Sequence, residues 1–410
     1  MPFEQGANLP RVKVSNQSAI LRTIYHNGPI KRAEIAQRLG LTLPTITTNV
    51  NSMIAGGIVR ETGEAVSGEG YVGRKAHPVD IVPESRHFIG LEIQGARRVA
   101  CLLDYRGQLL CGCEDKTPCR DYGKNLEMAN GMIRRVLRTS GLAMEQLAGL
   151  GVCAPGLVSS QRGMLDLRPS YNWFQKDLRG DVAALTGYSG PISVENNACA
   201  RAYGAQLLQR ETVGRAQTFA YLFISEGIAC PLVLNTASSF GSIVGAGEVG
   251  HMVMEPNGLP CSCGNRGCLE AYSSDRAVIA RCAEALERGE APGLAALGGA
   301  ERLAMAEILE AQAAGDAAVK GIVERAVYML GVAAANIINF ACPSMMLIEG
   351  KLFQLPGNRE LLLKTVRRNL CNVVRSDTEF VFAAPDSLSG ARGAAAMAIC
   401  KDLETYNQTS

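Results

Sequence analysis

The sequence predicts an α/β protein with a separate, mostly helical segment at its N-terminus. Two observations point to this. Within the first 82 residues, apolar residues recur at helical spacing in three short stretches, and two strand-like stretches follow. Beyond residue 88, strand-like apolar runs alternate with stretches of helical length. Such alternation is typical of sheets that have helices packed against them.

Length and composition limit the possible classes of protein. The chain has 410 residues, so two to four domains are expected at roughly 100–200 residues each. Hydrophobic residues make up 47% and charged residues 20%, which excludes wholesale disorder. We find no apolar run of the roughly 18 residues that a membrane span needs, and no signal pattern at the start. A cytoplasmic location is expected, and most of the 14 cysteines, Cys342 among them, should be reduced and buried.

The N-terminal segment has the element order of a winged helix-turn-helix. Its stop signals are Gly28-Pro29, Gly40 and Gly56-Gly57. The predicted elements are a helix capped by Ser15 or Asn16, a helix over Arg32–Leu39, a helix capped by Thr42, and strands over 58–62 and 76–82.

In a winged helix-turn-helix, the third helix lies in the major groove of DNA. Here its outward positions carry short polar side chains that suit base edges or phosphates: Thr45, Thr47, Thr48, Asn49 and Asn51.

That helix has no basic residue, so phosphate attraction must come from its neighbours, Arg22, Lys31, Arg32, Arg38, and the loop residues Arg74 and Lys75. Residues 1–82 hold nine basic and six acidic residues, a modest surplus, so binding is expected to need a dimer. The loop could enter the minor groove, where arginine is favoured. A winged helix used only for protein contacts is the alternative, but it would favour apolar outward residues.

A second pattern is typical of a metal site. His251, Cys261, Cys263 and Cys268 lie within 18 residues, and Gly264 and Gly267 permit tight turns between them. Three thiolates and one imidazole complete a tetrahedral zinc site and leave no position open for water. We therefore expect a structural Zn²⁺ that holds a loop in place. Reduced cysteines without a metal are the alternative.

These motifs resemble the signature of the ROK family (repressors, open reading frames and sugar kinases). The resemblance is carried by Gly247-Glu248-Val249-Gly250-His251 and by the run from Cys261 to Glu270. Ala154-Pro155-Gly156 and Val194-Glu195-Asn196-Asn197-Ala198 are similar to the family's Pro-Gly turn and its Asn-Asp sugar motif. The resemblance implies a two-lobed, actin-like (ribonuclease H-like) domain with a sugar in its cleft. The N-terminal winged helix is what the repressor branch adds.

By position, the resemblance also implies which residues bind the sugar. The hydroxyls would be held by Asn196, Glu248, His251 and Glu270, with Asn197 beside them, and His251 would serve both metal and sugar. A missing hydroxyl would leave such groups unpaired, which is how they select a ligand. The alternatives are a turn residue at Asn196 and solvated carboxylates at Glu248 and Glu270.

Three departures from the family pattern predict that the chain is not a kinase. Asn197 stands where the kinases have their catalytic Asp, and an amide cannot accept the hydroxyl proton. In the first phosphate loop, Glu92-Ile93-Gln94-Gly95-Ala96 replaces Asp-x-Gly-Gly-Thr. In the second, Ser225-Glu226-Gly227-Ile228-Ala229-Cys230-Pro231 brings a repelling carboxylate, and Pro231 lacks an N–H donor.

The sequence therefore favours a sugar-responsive transcriptional regulator, and a repressor of carbohydrate-utilisation genes is expected. Expected partners are an operator duplex, a sugar effector and a second copy of the chain, in a homodimer or homotetramer. The resemblance also allows a sugar-transport protein as an input. The alternatives are a kinase or bifunctional kinase-regulator, and a sugar-binding protein with a vestigial DNA-binding domain. The expected domains are 1–82, a first lobe of 88–198 plus 386–405, and a second lobe of 199–385 with the zinc site and oligomerisation helices.

Overall fold

The computed structural model describes residues 9–63, 77–95, 97–234, 246–298, 303–371, 377–384 and 386–406, with side chains from Ser15 onward. Within these ranges the α-helices, in chain order, are α1 Leu9–Asn27, α2 Arg32–Leu39, α3 Leu43–Ala55, α4 Tyr122–Ser140, α5 Leu178–Thr186, α6 Asn197–Leu208, α7 Arg210–Val213, α8 Glu270–Ser273, α9 Asp275–Glu287, α10 Pro292–Ala296, α11 Met305–Ala313, α12 Ala317–Ala341, α13 Pro356–Asn369 and α14 Ser389–Thr405. The strands are β1 Val59–Glu61, β2 Val79–Ile81, β3 His87–Ile93, β4 Arg98–Asp104, β5 Leu109–Asp115, β6 Leu147–Ala154, β7 Leu157–Ser159, β8 Met164–Arg168, β9 Trp173–Lys176, β10 Ile192–Asn196, β11 Thr218–Ile224, β12 Ile228–Ala229, β13 Leu232–Leu234, β14 Met345–Glu349 and β15 Glu379–Phe382.

The N-terminal segment is the predicted winged helix-turn-helix. Its second helix has the expected bounds, and the Thr42 hydroxyl caps the third by accepting the Thr45 N–H at 3.4 Å. Strands β1 and β2 pair antiparallel, with Val59 opposite Ile81. The predicted start of the first helix at Ser15 or Asn16 is wrong, because α1 begins at Leu9. Pro10 then falls in the first turn, where proline is favoured.

The chain forms two compact units, each built from separate stretches. The first contains residues 1–153, 178–195 and 388–410, and the second contains 154–177 and 196–387. The sequence assigned residues 88–198 to one lobe, whereas residues 154–177 and 196–198 belong to the second unit. Residues 154–177 form strands β7–β9, whose Arg168 pairs with Glu226 in the second unit. Helix α5 belongs to the first unit, where it contacts α4: the Tyr122 hydroxyl donates to Asp181 at 2.8 Å.

The first unit is built on a five-stranded sheet with the order β10-β6-β3-β4-β5. Strands β3, β4 and β5 are antiparallel neighbours, and β6 runs parallel to β3, as expected for an actin-like lobe. Helix α14 packs on β3 and β6 at Gly90 and Gly151. A side chain at either glycine would collide with the helix backbone at Ala391 or Ala394. These glycines thus allow the C-terminal helix to lie directly on the sheet.

The second unit has a sheet with the order β12-β11-β14-β15, and β13 pairs with β11. Strands β11, β14 and β15 are parallel, so their carboxyl ends meet at one edge. Helix α12 supplies much of the core, with Val323, Val327, Leu330 and Ile338 all buried. Among the described helices, α12 alone is long and apolar enough to cross a membrane. Since 56% of its most apolar window is buried, it matches a core helix, which passes the same test of length and composition.

Two features of this unit were not anticipated. Strands β7, β8 and β9 form a separate antiparallel sheet in a region where the sequence predicts no element. They are three to five residues long and are interrupted by Gly163 and Pro169, so they carry little periodicity. The expectation that Cys342 is buried is also wrong. It is exposed because it ends α12 in a left-handed conformation, with φ 44°.

Candidate functional site

Four potential metal ligands lie together in the second unit. The ligating atoms of His251, Cys261, Cys263 and Cys268 all lie within 4.8 Å of one another. His251 Nδ1 is 3.7 Å from Cys261 Sγ, and Cys263 Sγ is 3.8 Å from Cys268 Sγ. A tetrahedral ion bound about 2.3 Å from each sulfur separates two sulfurs by about 3.8 Å. The cluster therefore has dimensions that fit a metal ion.

Local backbone structure explains how this short loop gathers its ligands. The Gly264 N–H donates to the Cys261 carbonyl at 3.0 Å, and the Cys261 N–H donates to the Asn265 carbonyl at 2.9 Å. Gly264 and Gly267 adopt positive φ angles of 92° and 78°, as their residue type permits. A side chain on Gly267 would also collide with the Glu255 carbonyl. The glycines between the cysteines are thus required by the turns.

The donor chemistry also fits a cation. Burial and the neighbouring thiols raise the pKa of Cys268 to about 12, and burial is the largest cause of the raised pKa of Cys261. Without a cation these cysteines therefore favour the protonated thiol. A bound cation reverses this preference, because thiolates rather than thiols ligate metals. These residues could hold a metal ion, and three thiolates with an imidazole suit Zn²⁺.

Glu270 is the polar residue most firmly placed beside the cluster. It begins α8, directly after Leu269, and is largely buried. One carboxylate oxygen accepts the Ile228 N–H at 3.3 Å. The other accepts from the Ser262 hydroxyl at 3.4 Å and from Arg276 at 3.3 Å. Because Ser262 lies between Cys261 and Cys263, its hydrogen bond connects the cysteine-bearing loop to Glu270.

Glu248 lies in the same neighbourhood. It immediately precedes a short helical turn, Val249–His251, and its carbonyl accepts the His251 N–H at 3.1 Å. Burial is the main cause of a raised pKa of about 7 for Glu248, and the charge of Glu270 adds to it. In the described part of the chain its carboxylate has no hydrogen-bond partner. The structure thus brings Glu248, His251 and Glu270 together, with capacity left to bind a polar ligand.

Asn196 and Asn197 stand where β10 passes into α6. The Asn196 side chain caps the helix, accepting the Ala198 N–H at 2.8 Å, and its amide donates to the Gly156 carbonyl at 2.9 Å. Asn196 therefore connects its own motif, residues 194–198, to the turn at Ala154-Pro155-Gly156. Asn197 is only 6% exposed, and its side chain makes no hydrogen bond to described residues.

Sequence reasoning missed Arg168, the last residue of β8. It is only 3% exposed, and its Nη2 donates to Glu226 Oε2 at 3.0 Å. Its guanidinium lies 4.0 Å from the ring centroid of Tyr171 and 5.2 Å from that of Trp173. Glu226 was expected to repel phosphate, but here its charge is balanced by an arginine 58 positions away. No local sequence pattern signals this pair.

The two loops that the sequence assigns to the positions of the kinase phosphate loops form hydrogen bonds within the protein. In the first, the Gln94 amide donates to Glu92 Oε1 at 2.8 Å, and Ala96 lies outside the described residues. In the second, the Ser225 N–H donates to the Gly227 carbonyl at 2.9 Å. The Cys230 N–H donates to the Gly247 carbonyl at 2.7 Å. These donors are therefore engaged within the protein.

The third helix presents fewer uncommitted polar groups than its sequence suggests. Thr47 donates to the Leu43 carbonyl and Asn49 to the Thr45 carbonyl, both at 2.8 Å, while Thr48 is exposed.

One of the predicted basic residues, Arg32, contacts this helix through Asn51. Arg32 is held by Glu61 at 2.7 Å and by Asn51 at 3.3 Å, and Lys31 directly precedes α2. Arg74 and Lys75 lie outside the described residues.

Comparison with known proteins places these features in a family. Residues 88–401 match the model of the ROK family, and residues 15–60 match that of a winged helix-turn-helix DNA-binding domain. The chain is 25% identical over 367 residues to the xylose repressor of Bacillus subtilis (strain 168), covering 89% of this chain and 88% of the relative. It is 25% identical over 390 residues to the DNA-binding transcriptional dual regulator NagC of Escherichia coli (strain K12), covering 92% of each.

The fold has a counterpart among solved structures. A ROK family transcriptional regulator, described as a homolog of the E. coli MLC protein, superposes with a TM-score of 0.79 at 24% identity, covering 96% of this chain and 97% of the other. The family match alone spans well over half of the sequence. The chain therefore belongs to the ROK family and carries a winged helix-turn-helix before its ROK domain.

Proposed function

We propose that this protein is a sugar-responsive, DNA-binding transcriptional regulator that represses carbohydrate-utilisation genes. One observation carries the proposal: a winged helix-turn-helix and a ROK domain share one chain. A xylose repressor and a DNA-binding transcriptional dual regulator align across about nine tenths of it. The protein acts in the cytoplasm. It forms a homodimer or homotetramer, because the modest surplus of basic residues in 1–82 favours binding of two copies to two half-sites. The DNA-reading domain is 1–82, and the two ROK lobes follow it.

The sugar site is proposed around the polar cluster of the second unit. Glu248, His251 and Glu270 bind sugar hydroxyls, together with Asn196 and Asn197. A structural Zn²⁺ is held by His251 and the three cysteines. His251 Nδ1 is the nitrogen beside Cys261. Nε2 is then left for the sugar, and the metal fixes the tautomer.

The protein is proposed to bind its sugar without phosphorylating it. Asn197 offers an amide where the kinases have a proton acceptor, and loop donors such as the Cys230 N–H are engaged internally. A sugar kinase is the competing account. Incubation with ATP, Mg²⁺ and a panel of sugars tests it, and formation of a sugar phosphate would support the kinase.

The experiment that tests DNA recognition is selection of bound duplexes from a random pool. We expect the purified full-length protein, at near-physiological salt, to enrich a two-fold-symmetric site. The matched control is the same chain without residues 1–82, selected in parallel. Failure to enrich a sequence above that control, with or without sugars, would contradict the proposal.

A further inference from the structure

The side chain of Arg168 is buried in the fold, and one of its guanidinium nitrogens is unpaired among the described residues. It is 3% exposed, and Nη2 is bonded to Glu226. Nη1 is equally buried, but it has no hydrogen-bond partner among the described residues. A buried charged donor without a partner carries a substantial desolvation cost. Such a group calls for an explanation, and one explanation is that a ligand pairs with this donor when it binds.

The surroundings of Arg168 hold its guanidinium in place. The group lies 4.0 Å from the Tyr171 ring centroid and 5.2 Å from that of Trp173. Aromatic faces attract a guanidinium and restrict its plane. A planar guanidinium with two parallel N–H groups matches the two oxygens of a carboxylate or phosphate. Arg168 is therefore preorganised for an acidic group.

Arg168 lies beside the proposed sugar site. Its partner Glu226 precedes Gly227, where an added Cβ would lie 3.0 Å from Glu270 Oε2. Arg276 forms an ion pair with Glu270 at 3.3 Å, and its charge also contributes to lowering the pKa of Arg168, after the larger effect of burial. Two guanidinium groups thus flank the edge of the sugar site that Glu270 marks.

The present counter-ion of Arg168 is replaceable. The Glu226 side chain is 34% exposed and belongs to a turn closed by the Ser225 N–H and the Gly227 carbonyl. Within the described residues it is the single carboxylate paired with Arg168. A ligand oxyanion can compete with Glu226 for Nη2 and also satisfy Nη1, which Glu226 leaves unpaired.

We propose that Arg168 receives an acidic substituent of the effector, so that the effector is a monosaccharide bearing a phosphate or a carboxylate. The inference rests on the proposed function, since it concerns the same sugar site. Glu226 occupies Arg168 when the ligand is absent and yields it when the acidic sugar binds.

Titration monitored by tryptophan fluorescence tests this directly. Trp173 is the only tryptophan in the chain, it is buried, and Arg168 lies over its ring. The probes are glucose, N-acetylglucosamine and xylose, each compared with its terminal phosphate ester, and glucose also with glucuronate. The full-length, zinc-loaded protein is used, and calorimetry confirms each affinity. The phosphate and glucuronate arms distinguish the two sources of the acidic group.

The proposal makes opposite predictions for two variants. We expect an acidic sugar to bind at least about tenfold more tightly than its neutral parent. Arg168→Gln should abolish that difference while changing neutral-sugar affinity less than about threefold. Glu226→Gln, at a part-exposed position, should instead tighten binding of the acidic sugar. If Arg168→Gln does not fold, Arg168→Lys, which retains charge but loses the two-pronged geometry, replaces it.

The remaining outcomes separate this inference from the proposed function. A neutral sugar that binds as tightly as its acidic forms would overturn the inference and leave the sugar site standing. Tighter acidic binding that Arg168→Gln does not reduce would also overturn it. No binding of any probe would remove the sugar site, and the inference with it, whereas the DNA selection above is unaffected.

Discussion

The hydroxyl of Ser18 donates a hydrogen bond of 3.1 Å to the backbone carbonyl of Tyr406, 388 positions along the chain. This bond joins the first helix of the winged helix-turn-helix to the end of α14, within the first unit. Arg106 adds a second link, since it donates to the Tyr25 carbonyl at 2.5 Å and pairs with Asp80. The winged helix-turn-helix segment is therefore fastened to the sheet domain that follows it.

Replacing Ser18 with alanine should weaken this connection. The buried Tyr406 carbonyl would lose its donor, at a cost of about 1 kcal/mol in the free energy of unfolding. We expect Ser18→Ala to bind operator DNA normally but to show a smaller change in affinity when sugar is added. Urea unfolding and DNA titration with and without sugar measure the two effects. Thr23→Ala, which removes a bond within α1 only, is the control. An unchanged sugar response would exclude this bond from the coupling.

Replacing Cys263 with serine should release the metal. Three remaining ligands cannot complete a tetrahedral thiolate–imidazole site, so we expect bound zinc to fall from about one ion per chain to nearly none. Elemental analysis after gel filtration measures this, and thermal unfolding should shift to a lower temperature. Cys342→Ser, an exposed cysteine away from the cluster, should keep its zinc. A Cys263→Ser protein with full zinc content would contradict the assignment.

Thr48 is the residue of α3 that we expect to read a base. It is exposed, whereas Thr47 and Asn49 are bonded to their own helix. Thr48→Ala should relax preference at one base pair in each half-site, by about tenfold, and leave other positions unchanged. Competition among single-base variants of the selected site measures this. The matched change Thr139→Ala, at an exposed position of α4, should have no effect. A base profile for Thr48→Ala identical to that of the unmodified protein would contradict the prediction.

Arg74, which lies between β1 and β2 in the sequence, is expected to contact the DNA backbone or minor groove. Arg74→Ala should weaken binding to all sequences alike and reduce the slope of log affinity against log salt by about one. DNA titrations at several salt concentrations give the slope. Arg138→Ala removes an exposed arginine from α4 and serves as the control. A slope equal to that of the unmodified protein would remove the wing from the interface.

Sequence alone predicted the features that local signals encode. The helix cap at Thr42, the stop at Gly40 and the apolar spacing of α3 lie within a few residues of one another, so the winged helix followed from them. The same holds for the metal cluster, whose four ligands and two glycines lie in one loop.

Features that depend on distant residues were not accessible in this way. Arg168 and Glu226 are far apart in sequence, and the short strands that bring them together carry weak periodicity. Asn196 illustrates a second difficulty, because helix capping and sugar binding favour the same residue type. A sequence motif at such a position does not separate the two roles.

The most direct test of the account is the affinity of the protein for its selected duplex, measured by fluorescence anisotropy as sugar is added. We predict that a sugar that alters Trp173 fluorescence changes the Kd for DNA by about tenfold or more. The duplex should change the affinity for that sugar by the same factor, because coupling between two sites is reciprocal. A sugar that binds but leaves the Kd for DNA unchanged would contradict sugar-responsive regulation.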